Sequence, residues 1–162
     1  MKNLNKLKLY TMLILSIAII FTTIPLSASN IVRDIEHEMV IKQYISDIKD
    51  VQNHVFSLSQ IVVGNLPEDL SRIRNEINFI NIRIQELSRT VLLYTRSTPS
   101  ISFQNRDALL VCVALNLLKN SLYQLNMLIY VDNNVDKSIL LEDFYLFKRI
   151  SIETLETLEK NF

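Results

Sequence analysis

Residues 70–94, LSRIRNEINFINIRIQELSRTVLLY, decide the fold of this chain. Their apolar side chains recur at alternating steps of three and four residues, at Leu70, Ile73, Ile77, Ile80, Ile84, Leu87, Val91 and Tyr94. A strand would need steps of two, whereas threes and fours place side chains on one stripe of a helix. The stripe has the a/d spacing of a coiled coil. It therefore predicts one long amphipathic helix whose seam is buried throughout against partner helices.

Residues that break helices are scarce and sit at a few points. The 162 residues include one glycine, Gly64, and three prolines, Pro25, Pro67 and Pro99, so the intervals between these positions favour helix. The chain from residue 30 onward is long enough for a single hydrophobic core. We therefore predict an all-α fold, an up-down-up-down four-helix bundle with coiled-coil-like packing, as one domain over residues 30–162.

The other helices are predicted from their own apolar patterns. A first helix over residues 30–63 would end at Gly64 in a left-handed C-cap, with Ile35 and Met39 continuing its apolar stripe. Residues 97–104 are rich in turn-forming side chains and predict a loop. Residues 106–131 form the most apolar stretch of the body and predict a central helix. A last helix would begin with Asn134 or Asp136 as its cap.

The N-terminal 29 residues have the pattern of a secretory signal peptide. Three lysines precede an apolar run from Leu9 to Phe21, Pro25 follows, and residues 27–29 are small. Cleavage after Ala28 or Ser29 would export the rest of the chain. The alternative is an uncleaved membrane anchor, which the length of the apolar run also permits. Both alternatives predict a secreted or extracytoplasmic body, with membrane contact only through an uncleaved segment.

The distribution of charge restricts the class of partner. The formal net charge is zero, but without the three N-terminal lysines the rest of the chain has three more acidic than basic residues. A weakly acidic body argues against nucleic acid as the main partner, because phosphate binding needs clustered positive charge. The predicted first helix is acidic and the second is basic, so we expect ion pairs between them.

Residues suited to catalysis or metal binding occur without the neighbours that such sites need. His37 and His54 lie among acidic residues on the same predicted helix, a pattern more typical of a solvated face than of a structural zinc site. Cys112 is surrounded by aliphatic residues and has no adjacent base, so it predicts a small core residue. We therefore expect neither an enzyme nor a bound cofactor or metal ion.

An interaction surface is the stronger functional prediction. Arginine, aromatic and aliphatic side chains lie off the seam or in the predicted loop, a composition typical of interfaces, at Arg72, Phe79, Ile82, Arg83, Arg89, Ile101 and Phe103. The alternative for Phe79, Ile82, Leu92 and Leu93 is burial against a third helix.

Two classes of function remain open. The first is an exported protein–protein interaction module, or a structural module of the cell envelope or surface, which could also form homo-oligomers. The second is a membrane-active, pore-forming or lytic protein that inserts the apolar helix over residues 106–131. The polar residues Asn116, Lys119 and Asn120 within that helix make a membrane-spanning arrangement costly.

Overall fold

The computed structural model describes residues 35–64, 70–98 and 102–162, except for the side chain of Phe103. These ranges contain four helices, which we name α1 (Ile35–Gly64), α2 (Leu70–Ser97), α3 (Phe103–Leu128) and α4 (Asn134–Glu159). No strand occurs in the described ranges. The prediction of an all-helical chain is therefore confirmed over these residues, and the four helices pack together as in a helical bundle. The proposed signal peptide lies outside the described residues.

α3 is the helix at the centre of the packing. It contacts α1, α2 and α4, and its contact with α4 is the most extensive in the bundle. α1 also contacts the other three helices, whereas α2 and α4 share no contact within the described residues. α2 and α4 therefore occupy diagonal positions, on either side of α3. The predicted central position of the most apolar helix is confirmed.

The core is built from the predicted seam and its counterparts on the other helices. Ile73, Ile77, Ile80, Ile84 and Val91 of α2 are buried, and Leu87 and Tyr94 are partly buried. Leu70 is exposed, so the seam is buried along its length except at its first residue. The seam dominates the stability of α2 because each fully buried aliphatic side chain contributes about 1.5–3 kcal/mol.

Small polar side chains allow α3 and α4 to approach closely. Ser151 is fully buried, receives a hydrogen bond from Gln52 Nε2 (3.0 Å) and donates one to the carbonyl oxygen of Ala114 (2.9 Å). Ser121 donates to the carbonyl oxygen of Phe144 (3.1 Å). Each of these buried hydroxyls has a partner, so the polar groups are compatible with the core.

Several local predictions are corrected by the structure. Gly64 is the last residue of α1 and lacks the positive φ of a left-handed C-cap. The predicted 97–104 loop is shorter, because Ser97 belongs to α2 and α3 begins at Phe103 after the N-cap Ser102. The side chain of Ser102 accepts a hydrogen bond from the backbone N–H of Asn105.

The caps and faces of the other helices also differ from the predictions. α3 ends at Leu128 rather than Val131, and Asn133, not Asn134 or Asp136, caps α4. Ile35 and Met39 are exposed instead of continuing the apolar stripe of α1. A stripe of three or four apolar side chains cannot fix its face, because a shift of one residue rotates a helix by about 100°.

Candidate interaction surface

The side of α2 that points away from the core carries large apolar side chains. Phe79, Ile82 and Leu93 are 51%, 53% and 55% exposed. At about 3.6 residues per turn, Ile82 and Leu93 fall opposite the buried seam. We call Phe79, Ile82, Arg89 and Leu93 the outer face of α2. The alternative prediction, in which such residues are buried against a third helix, is wrong.

Arginines without ion-pair partners accompany this outer face. α2 has five arginines and two glutamates. Arg83, Arg89 and Arg96 form no ion pair with any residue in the described ranges, while Arg74 lies over the ring of Tyr130, 5.1 Å from its centre. The outer face is therefore both apolar and positively charged.

An open groove of about 450 Å³ between α2 and α3 adjoins the outer face. We call it the basic groove, and it is lined by Arg89, Arg96 and Lys119, by the apolar side chains of Leu92 and Leu93, and by the polar side chains of Gln85, Ser88 and Asn116. No carboxylate of the described chain lines it. The groove therefore offers apolar contact and positive charge together, which suits a ligand with carboxylates beside aliphatic side chains.

The predicted surface residues do not all lie on one side of α2. Arg72 and Arg83 fall on the side toward α1, Ile82 lies opposite the seam, and Arg89 lines the basic groove. Ile101 lies outside the described residues, and so does the side chain of Phe103. Sequence reasoning missed Arg96 and Lys119, because only the packing of α2 on α3 brings Lys119 beside the arginines.

His54 links α1 to α2 at the edge of this surface. Its Nε2 lies 3.2 Å from Oε2 of Glu76, and its ring meets Phe79 edge-on at 5.9 Å. This contact joins a basic side chain of α1 to an acidic one of α2, the reverse of the predicted pairing. Arg83, Arg89 and Arg96 of α2 form no ion pair in the described ranges, so they can meet another acidic surface.

His37 belongs to a buried polar cluster at one end of the bundle, not to the predicted solvated face. His37 and Asp107 are 4% and 1% exposed. Nδ1 of His37 lies 2.6 Å from the hydroxyl of Tyr94, and Nε2 lies 3.3 Å from Oδ2 of Asp107. When the imidazole carries its proton on Nε2, it donates to the carboxylate and accepts from the tyrosine hydroxyl.

This cluster joins three helices. His37 comes from α1, Tyr94 from α2 and Asp107 from α3, and the ring of Tyr94 stacks on that of His37 at 5.8 Å. Nη2 of Arg106 lies 3.5 Å from the second carboxylate oxygen of Asp107. Because a buried charge is costly unless it is paired and hydrogen-bonded, these contacts hold the ends of the helices in register. A sequence signal existed: His37 precedes the buried Ile41 by four residues.

Burial shifts the acidity of three side chains near the core. It raises the pKa of the partly buried Cys112 thiol, which makes the thiolate less available. Burial, and then the nearby carboxylate of Asp47, raises the pKa of Tyr44. Desolvation lowers the pKa of Lys148, whose Nζ lies 3.9 Å from the ring centre of Phe56. These shifts disfavour the charged form of each group.

Two further features bear on the alternative functions. Within the described ranges, no three His, Cys, Asp or Glu side chains are grouped as metal ligands would be. One helix there, over Gln104–Leu128, is long and apolar enough to cross a bilayer. Core helices of soluble proteins share that composition, and the buried Asp107 lies within this one.

Comparisons of the chain with models of protein families, with curated proteins and with solved structures give no match.

Proposed function

We propose that this chain is an exported, non-enzymatic helical-bundle protein that binds another protein through the outer face of α2 and the basic groove. The observation that carries the proposal is the combination of half-exposed Phe79, Ile82 and Leu93 with arginines that make no ion pair in the described ranges. Interfaces are enriched in aromatic and arginine side chains around an apolar centre. The surface has that composition.

The proposed architecture is an up-down-up-down bundle with coiled-coil-like packing. Contacts between helix ends support it: His37 near the start of α1 meets Tyr94 near the end of α2, and Arg74 near the start of α2 meets Tyr130 just after α3. This arrangement gives the outer face of α2 a rigid base, because the opposite side of the helix is held by its buried seam. A rigid face loses less conformational entropy on binding.

The composition of the surface defines the class of partner. Apolar side chains of the partner would cover Ile82, Leu92 and Leu93, and its carboxylates would pair with Arg89, Arg96 and Lys119. Charged rims steer association and select partners more than they add affinity. We therefore expect an acidic protein surface with an apolar centre, and association that weakens as the salt concentration rises.

Export is part of the proposal and is tested separately. The signal-like pattern of residues 1–29 predicts that expressing cells accumulate a chain that lacks 28 or 29 N-terminal residues outside the cytoplasmic membrane. Intact-mass spectrometry of cell fractions measures this directly. The full-length mass in the membrane fraction would support the uncleaved anchor instead.

Site-specific photo-crosslinking tests the binding surface. A photoreactive residue replaces Ile82 or Leu93 in expressing cells, and the matched control carries it at Gln60, an exposed position on α1. The proposal predicts a discrete crosslinked species from positions 82 and 93 that is absent from position 60. Identical products, or none, at all three positions would overturn it.

A further inference from the structure

The outward side of α4 carries a second stripe of exposed apolar residues. Val135, Ile139, Leu146 and Ile150 follow one another at steps of four, seven and four, which places them along one side of the helix. They are between 36% and 65% exposed, although each is aliphatic. The buried residues Phe144, Ser151, Leu155 and Leu158 lie on the opposite side. We call the four exposed residues the α4 stripe.

The charge of α4 is opposite to that of α2. α4 has six acidic and three basic residues, whereas α2 has five basic and two acidic ones. Glu142 lies between Ile139 and Leu146 on the stripe and forms no ion pair within the described part of the chain. Glu153 continues the stripe and pairs with Arg149 of its own helix at 3.7 Å. The stripe is therefore apolar and carries one acidic residue, Glu142, whose charge no ion pair offsets within the described part of the chain.

We infer that the partner of the α2 surface is the α4 stripe of a second copy of this chain. The inference rests on the proposed function, because it uses the same outer face and basic groove. The aliphatic stripe would lie against Ile82, Leu92 and Leu93, and Glu142 would approach Arg89. This occupant supplies both features that the surface requires, aliphatic side chains and unpaired carboxylate.

The diagonal placement of the two helices determines the form of the assembly. α2 and α4 lie on either side of α3 without contacting each other in the described ranges, so a copy can use both surfaces at once. Each copy then contributes a different surface to each contact, which gives head-to-tail association. A symmetric α2–α2 contact would place arginines against arginines, and a symmetric α4–α4 contact would oppose carboxylates. Opposite charge thus selects the head-to-tail arrangement.

Two substitutions on different surfaces test the arrangement by complementation. Ile82→Glu places a carboxylate in the outer face of α2, and Ile139→Lys places an ammonium group in the α4 stripe. Each chain is expressed with its N-terminal segment, and the form that accumulates is purified. Sedimentation velocity is then measured at increasing protein concentration. Wild type should form species that grow with concentration. Each variant alone should lose this association by about tenfold or more.

An equal mixture of the two variants is the decisive sample. The Ile82→Glu copy keeps its α4 stripe and the Ile139→Lys copy keeps its α2 surface, so the mixture should regain the association that each variant loses alone. Gln60→Glu and Asn53→Lys, at exposed positions of α1, add the same charges elsewhere and should associate like wild type. Thermal unfolding followed by circular dichroism should show that all four variants remain folded.

Charge reversal provides a second, independent test. Arg89→Glu and Glu142→Arg should each weaken association, while one chain that carries both should recover it, because the opposite charges then meet again across the contact. Additive loss in the double variant would overturn the inference, as would a mixture of Ile82→Glu and Ile139→Lys that fails to associate.

The remaining outcomes separate this inference from the proposed function. A wild-type chain that stays monomeric at every concentration overturns self-association, and crosslinks from position 82 to a different protein would still support the α2 binding surface. Association that only Ile82→Glu abolishes would indicate a symmetric α2 contact and would overturn the head-to-tail model. The absence of crosslinked species from positions 82 and 93 would overturn both the head-to-tail inference and the proposed α2 binding surface.

Discussion

His37 shows how a single residue can be misjudged from its neighbours in sequence. Glu36 and Glu38 flank it and suggest a solvated face, yet its ring is buried against Tyr94 and Asp107. Adjacent residues on a helix point in different directions, whereas residues four apart share a face. Its spacing to Ile41 was therefore the relevant signal. Its partners lie 57 and 70 residues away in sequence and could not be predicted from local pattern.

Removing the imidazole should destabilise the bundle strongly. His37→Ala leaves the buried carboxylate of Asp107 with Arg106 as its remaining ion-pair partner in the described chain, at 3.5 Å. We expect a loss of about 3 kcal/mol in the free energy of unfolding, measured by urea titration. The double variant His37→Leu with Asp107→Leu should lose less than the sum of the two single variants, because no unpaired charge remains. An unchanged urea midpoint for His37→Ala would contradict the role of the cluster.

Cys112 should react slowly with thiol reagents. Burial raises the pKa of its thiol, so the folded chain holds the proton at pH values where the unfolded chain releases it. The pH dependence of alkylation, followed by mass spectrometry, should therefore lie at higher pH for the native chain than for the chain in urea. Because the unfolded chain releases this proton first, the free energy of unfolding should fall as pH rises through the thiol pKa of the unfolded chain. Coincident alkylation profiles in the two states would refute the shift.

At the scale of the helix, the regularity of α2 made its orientation predictable. Eight apolar residues at steps of three and four leave one choice of buried face, and the structure buries that face. Less regular helices were harder to orient. Val113 of α3 lies within the central helix and is still 47% exposed, because a helix that is apolar on most sides does not indicate which side meets its neighbours. Ile150 of α4 is exposed although it is aliphatic.

Two isoleucines of α2, two residues apart, test that orientation. Ile84 is 1% exposed and Ile82 is 53% exposed. Ile84→Asp should unfold the bundle, since it places an unpaired carboxylate in the core, while Ile82→Asp should remain folded. Circular dichroism with thermal melting distinguishes the two. A cooperative, native-like melt for Ile84→Asp would mean that the seam of α2 is not buried in the core.

At the scale of the whole molecule, the sequence predicted an all-helical chain and a central α3, but not the shape of its surface. The basic groove requires Lys119 of α3 beside Arg89 and Arg96 of α2, and that juxtaposition depends on the angle at which the helices pack. The outer face of α2 was partly predicted, because Phe79 and Ile82 lie off the seam. Whether those residues were buried or exposed depended on α4, which packs on α3 and not on α2.

The central position of α3 leads to a prediction about membranes. Releasing α3 would remove the contacts that it makes with all three other helices and would expose the buried Asp107. The purified chain should therefore leave dye-filled lipid vesicles intact at neutral and mildly acidic pH. Leu109 is half-exposed, so Leu109→Asp should leave the core intact. If the wild-type chain releases dye and this variant does not, the result would support the membrane-active alternative instead.

Thiol labelling measures directly whether another protein surface covers the outer face of α2. Leu93→Cys places a reactive thiol on the outer face, and Gln60→Cys places one at an exposed control position on α1. A membrane-impermeant maleimide is applied to intact expressing cells and to dilute purified chain. We predict that the thiol at position 93 is labelled several-fold more slowly in cells than in dilute solution, while the thiol at position 60 reacts equally in both. Equal rates at position 93 would show that nothing covers the outer face of α2, and the proposed binding surface would be wrong.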